Sequence, residues 1–269
     1  MSKIIRFAVK FSAFLTFGIL FFIIGYILVR GIPNLTPSLF DFKYTSDNVS
    51  LFPAMITTLM LVVLTLLVAT PIGIFTGFYL VEYANKGNKL VEVIRIATET
   101  LSGIPSIVFG LFGMLFFVIR LGFQYSLIAG TLTAAIMVLP LIIRSTEEAL
   151  ISVDDSLREA SFGLGAGKLR TIFRIVLPVA MPGILSGVIL SIGRVVGETA
   201  ALMYTLGTAT KIPKGLFSSG RTLSLHMYLL STEGMHVNES YATGVILLGI
   251  VLIINGLSTF MSNKLTKGR

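Results

Sequence analysis

The amino-acid sequence predicts an all-α polytopic membrane protein with six transmembrane helices. Of its 269 residues, 54% are hydrophobic and only 13% are charged, and the mean hydropathy is +0.91. Apolar runs of roughly 20 residues, the length that crosses a ~30 Å hydrocarbon layer, recur along the chain. These runs are continuous and do not alternate between apolar and polar residues, so they favour helices over the strands of a membrane barrel.

The first predicted span covers residues 11–29 and follows a short basic segment. A signal peptide has a shorter apolar region and a cleavage site of small residues, so we interpret this segment as an uncleaved helix. The second span is longer than the bilayer requires and is expected to tilt or to kink at Pro71. In chain order, the five spans after the first are residues 51–81, 101–119, 121–143, 179–206 and 241–261.

The distribution of basic residues predicts the orientation of the helices. With the N-terminus inside, fourteen of the 21 lysines and arginines fall on inner segments and six on outer segments, while Arg194 lies within a span. The positive-inside rule then predicts that both termini are cytoplasmic. This asymmetry explains the net charge of +8 without a nucleic-acid partner. We divide the chain into residues 1–50, the first helix with its outer loop, and residues 51–269, the main transmembrane domain.

Several kinds of chemistry are excluded or disfavoured. The chain has no cysteine, so disulfides and thiol catalysis are excluded. No soluble domain of appreciable size is evident, and we predict no catalytic residue. His226, His236 and Glu233 lack the spacing of helical zinc motifs, so we interpret them as exposed residues of an outer loop and predict no metal site. That loop is better placed to meet an external binding protein.

Glycines within the predicted spans indicate close helix packing, because small residues let helix backbones approach one another. They are Gly103, Gly110, Gly113, Gly183, Gly187 and Gly193.

The inner loop at residues 144–178 has two helix-start patterns, Ser145-x-x-Glu148 and Ser156-x-x-Glu159. They predict two short amphipathic helices, and Pro178 is expected to reset the backbone before the next span. The segment "GLGAGK" is not a phosphate-binding loop, because Phe162 replaces its first glycine and Leu169 its hydroxyl residue. We therefore expect that this chain does not bind ATP itself.

The same loop resembles a known signature. The stretch "EASFGLGAGKLRTIFRIVLP" is similar to the EAA motif of ABC-importer permeases, with Ser161 where the family usually has alanine. Two further stretches, "ETLSGIPSIVFGLFG" and "IGRVVGETAALMYTLG", resemble the permeases of phosphate importers. The resemblance covers about residues 52–261. The EAA positions that match at the family's spacing are Glu159, Ala160, Gly165, Ile175, Leu177 and Pro178.

This resemblance implies a type I ABC-importer permease fold whose cytoplasmic coupling helix docks on a separate ATPase. The implied partners are a PstC-like second permease, a PstB-like ATPase dimer and a PstS-like phosphate-binding protein, in a bacterial or archaeal cell membrane. The chain itself is expected to bind no cofactor, and ATP and Mg belong to the ATPase. An apolar face of Leu157, Ala160 and Leu164 fits a docking role, although such a face can also pack on the inner ends of the spans.

Arg194 and Glu198 are charged residues inside a predicted span, where a charge costs a few kcal/mol. Four residues apart on one helix, they would share a face and form an ion pair. One interpretation is that the pair only fixes helix packing. The other is that Arg194 borders the route of the anion, because a guanidinium matches phosphate oxygens, while Glu198 holds or partly neutralises it.

The segment "SGIPS" interrupts a predicted span, because Gly103 and Pro105 disturb helix regularity and free backbone groups. Ser102 and Ser106 are therefore candidate polar contacts of a transport pathway. A simple proline kink is the alternative interpretation.

Three other functions remain open at this level. A permease for another oxyanion, such as molybdate or sulfate, would keep the EAA loop but should lack "GRVVGETA". A secondary transporter would use Glu198 as a proton site and need no ATPase. A structural or sensory membrane subunit would leave phosphate uptake intact when deleted.

Overall fold

The computed structural model describes residues 3–84 and 87–267, and within them all regular elements are helical. Three segments are π-helical turns, which are wider than an α-helical turn. Tyr79–Tyr83 and Met114–Arg120 each follow an α-helix, and Ile172–Val176 precedes one. The α-helices are α1 Lys3–Gly31, α2 Phe52–Phe78, α3 Lys89–Gly103, α4 Ser106–Gly113, α5 Leu127–Ile151, α6 Asp155–Gly163, α7 Lys168–Thr171, α8 Leu177–Gly197, α9 Ala200–Met203, α10 Leu223–Glu233 and α11 Val237–Lys267.

The centre of the bundle is formed by α2, α5 and α8 around an apolar core that includes Leu61, Met137 and Ile142. Close approach of these helices depends on small residues. A Cβ atom added to Gly73 would lie 2.6 Å from a side-chain carbon of Ile142, and one added to Gly183 would lie 2.7 Å from Cβ of Ala149. Glycine at these sites therefore lets α2 and α8 pack directly on α5.

The glycine prediction is right for Gly110, Gly113, Gly183 and Gly187, each of which meets a neighbouring element. It is wrong for Gly103 and Gly193, where an added Cβ would have no described atom within 4 Å. These two glycines lie beside open space instead.

The prediction of six spans is confirmed with one change of shape. Among the described residues, five helices are long and apolar enough to cross a membrane. The number is six when the helices Lys89–Gly103 and Ser106–Arg120, which meet at a 106° bend, are counted as one broken span. The predicted span at 101–119 is therefore not one straight helix. Ile104 and Pro105 break it, and the amphipathic α3 packs beside the inner part of α5, where Val91 and Ile143 share an apolar cluster.

Two other predicted spans begin or end elsewhere. The span at 121–143 begins only at Leu127, because Gly122 and Gln124 adopt positive φ and Ser126 caps the helix. The span at 179–206 is a helical run from Lys168 to Gly197. Pro178 lies inside that run, not before it, and follows the wide π turn, which relieves the clash that proline makes with the preceding turn.

The helix starts predicted in the inner loop are also wrong in detail. Ser145 and Glu148 lie within α5, which continues to Ile151, so the loop holds one of the two predicted helices as a separate element. That helix, α6, is capped by Asp154 and not by Ser156. The Asp154 carboxylate accepts a hydrogen bond from the backbone N–H of Ser156 at 2.8 Å, and side-chain and backbone hydrogen bonds from Ser156 lower the pKa of Asp154.

Segments that the sequence assigns to the inner side meet at one end of the bundle, which we call the inner end, and we call the opposite end the outer end. Ion pairs join Arg158 to Glu82 and Arg95 to Glu147 there. Lys86 and Arg269, two of the fourteen inner basic residues, lie outside the described residues. The cytoplasmic location of the termini stays a prediction.

Candidate transport pathway and coupling surface

Two helix breaks lie side by side in the bundle. Phe109 of α4 shares an apolar cluster with Val196 of α8 and Leu202 of α9, and Leu101 and Ile104 pack against this cluster. A Cβ atom on Gly110 would lie 2.7 Å from Cα of Ala201, so α4 and α9 are in direct contact. The structure thus brings together the two stretches, "SGIPS" and "GRVVGETA", that the sequence marks separately.

Glu198 stabilises the second break. The α8 helix ends at Gly197, and Glu198 has an extended backbone with φ −71° and ψ 132°. Its carboxylate accepts a hydrogen bond from the N–H of Ala201 at 3.0 Å, and its carbonyl accepts one from the Ser224 hydroxyl at 2.6 Å. Only 8% of the residue is exposed. Glu198 therefore accepts a hydrogen bond from the first turn of α9 and ties that helix to α10.

The predicted ion pair between Arg194 and Glu198 is not formed. The pairing assumed one continuous helix, but the break after Gly197 removes the i, i+4 geometry and the carboxylate is occupied by the backbone of α9. Across residues 3–84 and 87–267, Arg194 has no hydrogen bond or ion pair. Its guanidinium is half-buried and all five of its N–H donors are available to an anion.

The two candidate serines have different environments. Ser102 is exposed and donates its hydroxyl to the carbonyl of Thr98 at 2.8 Å within α3. Ser106 is half-buried and begins α4. The segment is a full break of 106° and not a simple kink. Next to it, a cavity of about 620 Å³ is lined by Ile107 and Thr199 together with hydroxyl residues of α10 and α11.

The residues predicted to couple this chain to an ATPase fall into two groups. Leu157, Glu159, Ala160 and Gly165 are exposed on α6 or just after it. Gly165 has φ +81°, a conformation that glycine adopts without strain. By contrast, Ile175, Leu177 and Pro178 are half-buried in the helical run that leads into the bundle. The first group is accessible to a partner, whereas the second is partly covered by the bundle.

Further apolar side chains extend the exposed surface around α6. Leu164 is 90% exposed and Phe162 is 47% exposed. Leu169, Phe173 and Ile151 are exposed on the neighbouring elements. The sequence identified Leu157, Ala160 and Leu164 as one face, and the structure leaves that face open instead of packing it on the spans.

Sequence reasoning missed Arg158 and Glu82. Their side chains form an ion pair at 3.0 Å and are only 14% and 9% exposed. Two local features could have drawn attention to them. Glu82 is a carboxylate directly after the second predicted span, and Arg158 is next to the EAA glutamate. Because the two residues are 76 positions apart, no local spacing indicates their contact.

The outer end has its own buried cluster. His226 lies in α10 and is fully buried, so the prediction that it is an exposed loop residue is wrong. A ring nitrogen of His226 is 3.2 Å from the carbonyl oxygen of Val49, and the Tyr44 ring packs edge-on against it. Arg221 is 6% exposed and stacks 4.6 Å from the Tyr44 ring centre. Burial, helped by the charge of Arg221, lowers the pKa of His226 to about 3.

The fold and the candidate site together are those of a multi-pass membrane permease. The chain has several apolar spans, two adjacent helix breaks beside an unpaired arginine, and an exposed helix at the inner end. Residues 69–267 match the family described as "Binding-protein-dependent transport system inner membrane component". The chain belongs to this family.

Two relatives illustrate the similarity. The chain is 34% identical to "Probable ABC transporter permease protein YqgI" of Bacillus subtilis, over 93% of this chain and 92% of that protein. It is 39% identical to "Phosphate transport system permease protein PstA" of Mycobacterium leprae, over 78% of this chain and 68% of that protein. These relatives are permease subunits, and this chain is accordingly a transport component.

Solved structures show the same fold at low sequence identity. A chain of the methionine ABC transporter MetNI, in an inward-facing conformation, has a TM-score of 0.63 and 18% identity, with 90% of this chain and 97% of that chain covered. A chain of a bacterial alginate ABC transporter has a TM-score of 0.69 and 17% identity, with 98% and 97% covered. The fold is that of the type I ABC-importer permeases, as the EAA resemblance implied.

Proposed function

We propose that this chain is a permease subunit of an ATP-driven importer of inorganic phosphate and forms half of its translocation pathway. A PstC-like permease supplies the other half, a PstB-like ATPase dimer binds at the inner end, and a PstS-like protein delivers phosphate from outside. The names of several relatives support the substrate, among them PstA of Mycobacterium leprae and PstA 1 of Mycobacterium tuberculosis, which is 40% identical over 69% of this chain.

The observation that carries the proposal is the unpaired Arg194. A cation in a membrane span normally has an anionic partner or faces a polar pathway, because an uncompensated charge is costly there. Glu198 does not pair directly with Arg194: among the described residues no ion pair joins them, and Oε1 of Glu198 accepts from the N–H of Ala201. Phosphate supplies the missing negative charge, and its oxygens fit the fork of guanidinium donors.

The exposed surface of α6 supports the coupling part of the proposal. Leu157 and Leu164 offer apolar anchors, and Glu159 offers a charge to an ATPase groove. When the ATPase subunits close, α6 moves with them, and the bundle changes from inward-facing to outward-facing. ATP and Mg stay on the ATPase.

Reconstitution in liposomes tests the function. The chain and its candidate partners are assembled, and ATP-driven uptake of labelled phosphate is measured with and without excess sulfate or molybdate. We expect uptake that needs this chain and resists both competitors. Uptake displaced by another oxyanion would reassign the substrate, and uptake driven by an ion gradient without ATP would identify a secondary transporter.

A further inference from the structure

Arg158 joins the exposed helix α6 to the membrane-spanning part of the chain. Seven of the nine residues of α6 are exposed, and the remaining two, Arg158 and Ser161, are half-buried. Ser161 shares a hydrogen bond of 2.8 Å with Thr171, so it connects α6 only to the next helix along the chain. Arg158 reaches further, to the inner ends of α2 and α5.

The Arg158 guanidinium uses its full donor capacity. Nε and Nη2 both donate to Oε1 of Glu82, at 3.2 and 3.0 Å. Nη2 also donates to the carbonyl of Leu150 at 2.9 Å, in the last turn of α5. Nη1 donates to the carbonyl of Val153 at 2.8 Å and to Asp155 at 3.0 Å. An arginine with five hydrogen bonds holds one geometry, because any rotation breaks several of them.

Glu82 lies in the wide turn Tyr79–Tyr83 that ends α2, and this turn receives a second contact from the coupling loop. The Lys168 ammonium donates to the carbonyl of Glu82 and lies 4.7 Å from the centre of the Tyr83 ring. Since α2 packs directly on α5 through Gly73 and Gly77, a displacement of this turn is transmitted to the centre of the bundle.

We propose that the ion pair between Arg158 and Glu82 transmits the movement of α6 to α2 and thereby couples ATP hydrolysis to transport. Both are positioning residues that do not contact the substrate. This inference rests on the proposed function. It follows from the placement of the pair: the outer surface of α6 is free for the ATPase, while the nearly buried pair is the polar link from α6 to a helix far away in sequence.

The test uses the complete importer in liposomes, with Glu82→Gln as the main variant and Arg158→Lys as the second. Both keep side-chain volume close to the original, but the first removes the charge and the second removes the fork. We expect phosphate uptake to fall about tenfold or more, the effect of losing a charge-assisted hydrogen bond. ATP hydrolysis stimulated by the binding protein should stay within about twofold, so more ATP is used per phosphate transported.

Arg144→Gln is the matched control. Arg144 pairs with Glu148 at 3.0 Å, also at the inner end, but both side chains are more than 60% exposed. An exposed ion pair of this kind contributes little to stability, so phosphate uptake and ATP hydrolysis should both match wild type. Glu82→Asp keeps the charge and should recover part of the uptake lost in Glu82→Gln.

Hydrogen exchange gives a readout that does not depend on the substrate. In the wild-type complex, trapping the ATPase with vanadate should change amide exchange in α6 and also at Tyr79–Tyr83. In Glu82→Gln, the change should remain in α6 and disappear at Tyr79–Tyr83. This result would hold even if wild-type liposomes failed to take up phosphate, an outcome that would overturn only the proposed substrate.

Three outcomes would overturn the proposed coupling role. One is normal uptake by Glu82→Gln. Another is an exchange response at Tyr79–Tyr83 in the variant equal to that in wild type. The third is a proportional loss of assembled complex, uptake and hydrolysis in both variants, because this would show that the pair only maintains the fold.

Discussion

Arg158 at the inner end and Arg194 near the middle of the bundle have opposite environments. Throughout the described part of the chain, every arginine paired with a carboxylate lies at the inner end: Arg95, Arg144 and Arg158. Arg194 and Arg221 have no carboxylate partner. Arg221 is nevertheless almost fully buried and keeps one guanidinium nitrogen without a hydrogen bond.

This difference separates two uses of the same side chain. Arg158 has satisfied all its donors and serves to fix geometry, so its role is mechanical. Arg194 has no hydrogen bond or ion pair among the described residues, so in the proposed function its donors are free to bind phosphate. The packing of α8 also differs between its two halves. The helix is tightly packed against α5 at Gly183, but it lies beside open space at Gly193, next to Arg194.

The largest expected effect is at Arg194. Arg194→Ala should lower phosphate uptake about 10- to 100-fold or more, the value of hydrogen bonds to a charged group, with the complex still assembled. Arg194→Lys should give an intermediate loss, because it keeps the charge and loses the fork. Liposome uptake and co-purification of the partners measure both variants, and Arg120→Ala is an exposed control. Normal uptake by a correctly assembled alanine variant would refute the role of Arg194.

The packing difference along α8 predicts the next effect. Gly183→Ala should destabilise the protein by up to about 3 kcal/mol, because its new methyl group would overlap Ala149. Gly193→Ala should be neutral or stabilising by up to about 1 kcal/mol, since the site is open and alanine favours a helix. Thermal unfolding in detergent compares the two variants. Equal stability would contradict the described helix packing.

The outer cluster predicts an acid-sensitive stability. His226 is neutral when folded because its pKa is lowered to about 3 from 6.5. The unfolded chain therefore binds more protons below pH 6.5, and stability falls as the pH decreases from 6.5 towards 3. At pH 5 the loss should be about 2 kcal/mol. Unfolding of wild type and His226→Gln at several pH values checks this, and an identical pH dependence would show that His226 is not responsible.

The smallest effect is expected at Glu198. Two variants there show whether this residue matters through its hydrogen bond to α9 or through its negative charge. Glu198→Gln keeps an oxygen that can accept from the N–H of Ala201, so uptake should stay within about twofold of wild type. Glu198→Ala removes this hydrogen bond and should cost about 1 kcal/mol of stability. If Glu198→Gln instead lost uptake as severely as Arg194→Ala, the negative charge itself would be required.

The candidate site was only partly predictable. The EAA spacing predicted a coupling loop, and the exposed positions of Leu157, Glu159 and Ala160 are compatible with that prediction. The pairing of Arg194 with Glu198 was wrong because it assumed an unbroken helix. The break follows Gly197, and there the Ser224 hydroxyl of α10 donates to the Glu198 carbonyl, a contact that no local pattern encodes.

The sequence by itself determined the class of the protein, since the number and length of apolar segments and the EAA motif are local properties of the chain. It also predicted that Arg194 lies within a membrane-spanning segment. The tertiary structure decided which charges are compensated. It placed Glu82 beside Arg158, buried His226 beneath the outer loop and left Arg194 without a partner. The physical reason is that hydropathy depends on composition along the chain, whereas the satisfaction of a charge depends on atoms that only folding brings within 3 Å or so of each other.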